Sequence, residues 1–419
     1  MSSSFPIKKH RDLFNIGLVA NTLEWYELSL YAYLAPIMGK LFLQHNLEHP
    51  IMGLVGAWSM LVVSYLARPL GSIFWGYIGD RKNCSFALRY SLLVMAIPGL
   101  LIGCLPTYEQ IGILSTIALC ILRFIQGFAA GGENSLNSGY MLETAPREKR
   151  GFFVSTVAAS GIIGFLGGSL VITLLFLYFD EKTILSGAWR LPYLSSIPIF
   201  FYIVHVRKSI QSPQNFTQSQ TAQPSSFTRL LIGSRLFSTL GLCVLIEVST
   251  HIIFMFLPTY LTYFLKIPIT NSQAYNTFGL AMWSMFTLLS GYLSDRINYR
   301  HLLKIYIFFI LIACYPLFLI MQTASYGTLL VCYLIFAWVL GGLSGIQMQI
   351  LANNFPEKIR ILGMGLSYTF SSTIFGSTAP LICTYFIEKT GVTLFPAYYI
   401  LLAALLTLPN VFLVRFKSL

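Results

Sequence analysis

The sequence predicts an all-α membrane protein of twelve transmembrane helices in two pseudo-symmetric six-helix halves. Three observations lead there. The chain is 56% hydrophobic and 10% charged, whereas an ordinary soluble domain is about 25% charged, so a water-exposed surface could not be built from it. Long apolar runs recur, among them "LLVMAIPGLLIGCL", "ILSTIALCIL" and "IYIFFILIACYPLFLIM", and a spanning helix needs about 20 such residues. A hydrophilic turn then appears twice: "GYIGDRKN" starts at Gly76 and "GYLSDRIN" at Gly291, 215 residues later in a chain of 419. A second echo pairs Pro146 and Arg150 of "APREKRG" with Pro356 and Arg360 of "FPEKIR", 210 residues on.

The apolar segments place spans at 12–42, 52–79, 84–106, 111–144, 150–179 and 188–208, then at 229–265, 272–294, 300–322, 326–355, 360–387 and 394–415. Regular ten-residue alternation broken by turns is absent, which excludes a membrane β-barrel. Between the sixth and seventh spans lies "KSIQSPQNFTQSQTAQPSSF", rich in Gln, Ser and Pro, the composition of a flexible linker. The expected organisation is a first half at 1–207, a cytoplasmic linker at 208–228 and a second half at 229–419. Each repeated turn follows the second span of its half. Parallel halves related by an axis along the membrane normal account for that placement.

Twenty of the 27 lysines and arginines fall in loops on the side of the amino terminus, five fall on the other side, and Arg68 and Arg123 lie inside spans. The positive-inside rule therefore puts both termini in the cytoplasm. The net charge of +12 is thus a topology signal, and its spread over seven short loops argues against a nucleic-acid partner. The first apolar segment contains Asn21, Glu24 and Glu27 and lacks a small-residue cleavage site, so it is not a cleavable signal peptide. The seven cysteines show no CxxC spacing and read as small apolar residues without disulfides. The His45 and His49 pair in "HNLEH" reads as a polar loop, with no metal site expected.

The repeated turn has a physical purpose. Gly76 and Gly291 let helix ends approach closely, and Asp80 and Asp295 stand where a carboxylate caps a neighbouring helix's amino terminus. Arg81 and Arg296 anchor the turns at the headgroups.

Charges inside the spans need a further explanation, because each costs roughly 2.5–3.5 kcal/mol at the bilayer centre on insertion scales. On the first span Asn21, Glu24, Glu27 and Tyr31 fill an arc of about 120°. On the fourth, Arg123, Gln126, Ala130, Glu133, Asn134 and Asn137 fill about 100°, with Arg123 at the depth of Glu24 and Glu27. Two roles are open to this set. It is either an ion-pair cluster that fixes helix packing, or a site where Arg123 shares its partners with a solute carboxylate or a proton-carrying acid. On the seventh span Glu247 and His251 stack four residues apart and form a candidate proton site. Trp338, Gln347 and Gln349 on the tenth span offer stacking and amide contacts. Trp25, Tyr26 and Tyr31 offer a cradle for a quaternary ammonium. Gly164 and Gly168 form a small-residue packing face on the fifth span. Nucleophile–base pairs, phosphate loops and zinc spacings are missing, so neither an enzyme nor a cofactor is expected.

"NTLEWYELSLYAYLAPIMGKLF", "ARPLGSIFWGYIGDR", "RFIQGFAAGGE", "WRLPY", "GYLSDR" and "FPEKIR" together resemble the major facilitator superfamily over essentially the whole chain. Within it they resemble the metabolite:proton symporter family, which includes proline/betaine and dicarboxylate carriers. The resemblance implies the major facilitator fold, a bacterial inner membrane and uptake of a zwitterion or carboxylate with a proton by alternating access. It makes Glu24 and Glu27 the family's acidic positions around the tryptophan and assigns Arg68 of "ARPLG" to gate geometry. The two turns become gates that lock one side of the protein. The first departs from the family, with Asn83, Cys84 and Ser85 where a glycine and two basic residues are usual; the second has Asn298 for glycine but keeps Arg300. With the last span ending near residue 415, no long coiled-coil tail of the kind some osmosensory members carry is expected. The fifth span lacks the Gly-Pro signature of superfamily antiporters, which disfavours the alternative of a proton-driven exporter of a siderophore, drug or metabolite. The expected partners are a small solute, a proton and the bilayer, with a monomeric chain.

Overall fold

The computed structural model describes residues 7–43, 50–81, 84–198, 201, 234–323, 326–356 and 359–413. Helices lie there along eleven of the twelve expected spans and over the start of the sixth, with no strand among the described residues. In chain order, α1 runs Ile7–Tyr33 and continues past Leu34 as Ala35–Phe42. Then follow α2 (Pro50–Arg81), α3 (Cys84–Cys104) and α4 (Ile113–Ala130, resumed as Glu133–Thr144). Next come α5 (Arg150–Tyr178) and the start of α6 (Arg190–Leu194). The second half holds α7 (Ser234–Thr250, a π-helical stretch His251–Phe256, then Leu257–Tyr263), α8 (Ile269–Ser294) and α9 (Tyr299–Thr323). It ends with α10 (Tyr326–Asn354), α11 (Arg360–Ser371, π-helical Ser372–Gly376, then Ala379–Thr390) and α12 (Phe395–Leu413). The expected linker at 208–228 and the His45–His49 loop lie outside the described residues.

Eight helices among the described residues are long and apolar enough to cross a membrane. α1 and α8 carry polar stripes that lower their hydropathy, and both stripes face protein. Burial separates centre from periphery. Along the most apolar stretch 94% of α7 is buried, against 39% of α9 and α12. Phe308, Ile312, Leu402, Leu405 and Phe412 on those outer helices are exposed, as residues facing lipid tails should be.

The halves meet where α5 packs on α8, α2 on α11 and α1 on α7. Proline supplies two of the connections. Proline has no N–H, so it releases the carbonyl four residues earlier. Pro258 thereby frees Phe254 O, which accepts from Tyr33 Oη of α1 at 2.9 Å. Pro69 frees Tyr65 O, which accepts from Thr373 Oγ1 of α11 at 2.7 Å. Ser169 and Thr277 share a hydroxyl contact of 2.7 Å between α5 and α8. Within the first half, a Cβ at Gly164 or Gly168 would overlap Thr22 O or Ser29 Oγ of α1, so the small-residue face packs as its spacing predicts.

Two expectations need adjustment. The fourth span, read as continuous over 111–144, starts at Ile113 after Gly112, whose φ of 63° is a left-handed value, and breaks again at Gly131–Gly132. The first helix begins at Ile7, because lysines and an arginine outside an apolar run can still be helical.

Candidate functional site

Between the halves lies a small cavity of about 50 Å³. Its first-half wall includes Asn21, Trp25, Asn134 and Phe165; its second-half wall includes Glu247, Trp283, Gln347 and Tyr368. Among the described residues Glu247 is the only carboxylate on this wall, and no Lys, Arg or His lines it. Gln347 Nε2 donates to Glu247 Oε1 at 3.3 Å. Trp283 stacks on Phe254 with centroids 4.5 Å apart and planes 6° from parallel, and its Nε1 donates to Ser344 Oγ at 3.3 Å. Asn21 is committed to structure: its Nδ2 donates to Val157 O at 2.8 Å and Ser160 Oγ at 2.9 Å, and its Oδ1 accepts from Trp25 Nε1 at 3.2 Å. Asn134 Oδ1 is buried without a protein partner and is available to a solute.

A second cavity, about 20 Å³, sits wholly within the first half and is lined by Glu24, Glu27, Arg68, Arg123, Gln126 and their neighbours. All five of these side chains are buried. Arg68 Nη2 stands 3.5 Å from Glu24 Oε1, and its guanidinium lies 4.2 Å from the Tyr65 ring centroid and 5.5 Å from that of Trp25. Gln126 Nε2 donates to Glu27 Oε2 at 2.9 Å. The Glu27 carboxylate rests on Gly99 of α3, where any Cβ would overlap it. Arg123 covers the Tyr31 ring at 3.9 Å and donates through Nη2 to Tyr193 Oη at 3.1 Å. Buried charges of both signs in one pocket offset the desolvation each would suffer alone.

This arrangement changes several sequence expectations. Arg68, assigned to the gate, is a mid-membrane residue: thirteen positions before Arg81 is about 20 Å along a helix. Arg123, expected to bind a solute carboxylate or an acidic partner, lines the pocket of Glu24 and Glu27 and not the central cavity. The Tyr31 ring, offered to a quaternary ammonium, is already covered by that guanidinium. Tyr26 is likewise engaged, its Oη donating to Pro192 O at 3.2 Å. Gln126 serves Glu27, whereas Asn134, from the same stripe but on the segment after Gly131–Gly132, lines the central cavity. Glu133 is fully buried and lines neither cavity. Trp338 packs edge-on against Tyr306 and Phe309 of α9, on the side of α10 away from the cavity. Gln349, also on α10, is buried but lines neither cavity.

Glu247 and His251 do share a helix face, but the contact runs from His251 Nδ1–H to the Glu247 backbone carbonyl, at 2.7 Å. The imidazole ring lies 5.1 Å from Tyr65, edge-on, and its Nε2 is buried without a partner. Sequence reading missed Trp283 and Tyr368. On α8 a signal was present: Asn276, Gly279, Trp283, Thr287 and Ser290 repeat every three or four residues, the spacing of one helix face.

At the end of the bundle carrying the repeated turns, Asp295 caps α5. Its Oδ1 accepts from Gly151 N at 2.7 Å and its Oδ2 from Phe152 N at 2.9 Å, joining the second half to a positive helix end in the first. A Cβ at Gly291 would overlap Ser155 Oγ of α5, whereas one at Gly76 would lie 3.3 Å from Leu362 Cα of α11. The closer approach is therefore at the second turn. Arg296 covers the Tyr292 ring at 4.4 Å. Asn298 Oδ1 accepts from Arg300 N at 3.0 Å, so the asparagine in the glycine position caps α9. The side chains of Asp80 and Arg81 lie outside the described set. No group of three or more His, Cys, Asp or Glu side chains among the described residues is placed to hold a metal ion.

The family profile described as Major Facilitator Superfamily matches residues 25–380. The ectoine/proline transporter ProP of Corynebacterium glutamicum is 30% identical over 422 residues, covering 94% of this chain and 82% of that protein. The proline/betaine transporter of Escherichia coli K12 is 26% identical over 416 residues, covering 96% and 82%. Among solved structures, a D-xylose–proton symporter superposes with a TM-score of 0.76 at 14% identity, covering 98% of each chain. XylE of E. coli in a partially occluded inward-open conformation does so at 0.76 and 15%, covering 98% of this chain and all of the other. With twelve helices in two halves around a shared cavity, the chain belongs to the Major Facilitator Superfamily and is a membrane-spanning solute transporter rather than an enzyme.

Proposed function

We propose that this chain imports a small zwitterionic solute together with a proton across a bacterial cytoplasmic membrane, as a monomer with both termini in the cytoplasm. The observation that carries the reading is the division of labour between two buried cavities. The central one has aromatic walls, amide groups and a single carboxylate with no basic side chain. Such a wall favours a solute bearing a positive, alkylated nitrogen, by cation–π and charge attraction, over a solute that is purely anionic. The separate acid–guanidinium pocket has the chemistry to take up a proton without competing for the solute. In this reading Glu24 or Glu27 carries the proton. The printed functions of the relatives, ectoine, proline and betaine transport, point to the same solute class.

The halves, 1–207 and 229–419 joined by 208–228, rock about the cavity. Opening towards the cytoplasm separates Asp295 from the α5 amino terminus, together with the Gly76 and Gly291 contacts; opening outward separates Tyr33 from Phe254.

The test is reconstitution in liposomes with a pH-sensitive dye inside. An inward proton gradient is applied and proline, glycine betaine, ectoine, 2-oxoglutarate, citrate and shikimate are added in turn. Lumenal acidification dependent on the zwitterions is the expected result. Acidification with the carboxylates alone would overturn the solute class, and no solute-dependent proton movement would overturn uptake in favour of export.

A further inference from the structure

One residue of the first-half pocket also touches the lining of the central cavity. Arg68 lines the first-half pocket with Glu24 and at the same time packs on Trp25, which lines the central cavity. Its ion pair is loose: 3.5 Å separates Nη2 from Glu24 Oε1, where a charge-assisted bond is about 2.7–2.9 Å. Its Nε is buried without an acceptor. A guanidinium has five donors, so this one has capacity left for another partner.

The second half presents such partners. Beneath the guanidinium lies Tyr65, and Tyr65 is attached to the second half twice. Its carbonyl, freed by Pro69, accepts from Thr373 of α11, and its ring meets the His251 ring of α7. The charged and titratable groups that act on Arg68 are Tyr65 on its own helix, Glu24 on α1, Glu247 on α7 and Tyr368 on α11. Glu27 and Glu133 in turn act on Glu24. Glu247 and Tyr368 are themselves central-cavity wall. Arg123, the other buried cation lining the pocket, acts on Glu27; Arg68 is the one of the two that is also within electrostatic reach of Glu247 on the central wall.

We propose that Arg68 is a positioning residue whose charge is shared between Glu24 in the first half and Glu247 in the second, so that proton uptake by the Glu24–Glu27 pair alters the charge presented to the solute. When the pair gains a proton from bulk water, Glu24 no longer holds the guanidinium, and Arg68 leans towards Glu247 and Tyr368. When the pair loses it, the guanidinium returns and Glu247 is left for a cationic solute group. The inference rests on the reading of this chain as a proton-coupled carrier.

Two measurements on the full-length protein separate its failure from failure of that reading. The first needs no solute: an infrared titration of the protonated-carboxyl band that disappears in the E24Q/E27Q double variant. E247Q is expected to displace the midpoint of that band by about one pH unit when Arg68 is present, and to leave it in place when Arg68 is replaced by Gln. An equal displacement in both backgrounds, or none in either, overturns the inference. The second is uptake of labelled glycine betaine into proteoliposomes. R68Q is expected to keep exchange down the solute gradient and to lose the roughly tenfold accumulation that a gradient of about one pH unit supports. R68K, which keeps the charge without the fork, is expected to recover part of it. The R68Q/E24Q variant restores charge balance and controls for misfolding. Full accumulation by R68Q overturns the inference; failure of the wild type to accumulate glycine betaine or proline overturns the carrier reading, whatever the infrared result.

Discussion

The first half buries three carboxylates, Glu24, Glu27 and Glu133, together with the guanidiniums of Arg68 and Arg123; the second half buries one carboxylate, Glu247, and one imidazole, His251, among the described residues. The two halves share their helix order and their turn after the second helix. They do not share this charge. Features the frame needs twice are kept twice: a glycine at the close approach and an aspartate in the turn. Buried charge is costly at each occurrence, and it survives where a function requires it. The first half gathers four of its five buried charges around a pocket of its own. The second half leaves Glu247 on the cavity wall with Gln347 as neighbour and no fixed cation beside it. Under the proposed function, the first half handles the proton and the second offers the negative group to the solute.

That contrast can be broken most severely at Glu27. Glu27→Gln keeps the shape and the Gln126 contact but removes the charge. A gradient of about one pH unit, worth about 1.4 kcal/mol, supports about tenfold accumulation in the wild type and should support none in the variant. Solute counterflow should persist. Wild-type accumulation by E27Q would end the assignment of the proton to the first half.

In the second half the largest effect should be on affinity. Trp283→Ala removes an aromatic wall of the cavity and its stack on Phe254. Loss of a desolvated cation–π contact of about 2 kcal/mol raises Kd for glycine betaine roughly thirtyfold, as binding calorimetry would read it. The number of protons taken up per solute should not change. A change in that ratio with intact affinity would reverse the roles of the halves.

Asp295→Asn tests the contact between them. The side chain would still accept hydrogen bonds but would lose the charge–dipole attraction to α5, about 1 kcal/mol. Roughly a fivefold shift towards the conformation open at the turn-bearing end follows from that figure. The measurement is the alkylation rate of a cysteine placed at Ile246 in a cysteine-free background, with the reagent added at that end. Unchanged labelling would show that the cap does not bias the equilibrium.

The smallest functional effect is expected at Trp338. Trp338→Ala empties a contact with Tyr306 and Phe309, so the melting temperature should fall while solute Kd stays within about twofold. A large rise in Kd would put this residue back in the solute site.

Much of the fold was legible in the chain. The positions of the apolar runs, the doubled turn and the basic loops depend on composition within a few residues, and each described helix starts or stops within a few positions of its expected span. Glu24, Glu27, Arg123 and Glu247 stood out as buried charge for the same reason. The roles assigned to Arg68, Gln126 and Trp338 were not legible. A heptad or an arc of 100° per residue says which residues share a helix face, but not what that face meets. Gln126 and Asn134 share a stripe, yet one meets Glu27 and the other the central cavity. The prolines at 69 and 258 release carbonyls whose acceptance of Thr373 and Tyr33 is visible once the helices are side by side.

By itself the sequence determined that this chain crosses a membrane twelve times, that its two halves repeat, and that charge is buried on the first, fourth and seventh helices. These properties follow from local composition and the cost of placing polar groups in hydrocarbon. Tertiary structure decided that Arg68, not Arg123, pairs with Glu24, that Glu24 and Glu27 line a different cavity from Glu247, and that Trp283 rather than Trp338 faces the central one. Those outcomes depend on the rotation, depth and spacing of helices far apart in sequence, where a turn of a few tens of degrees exchanges one partner for another.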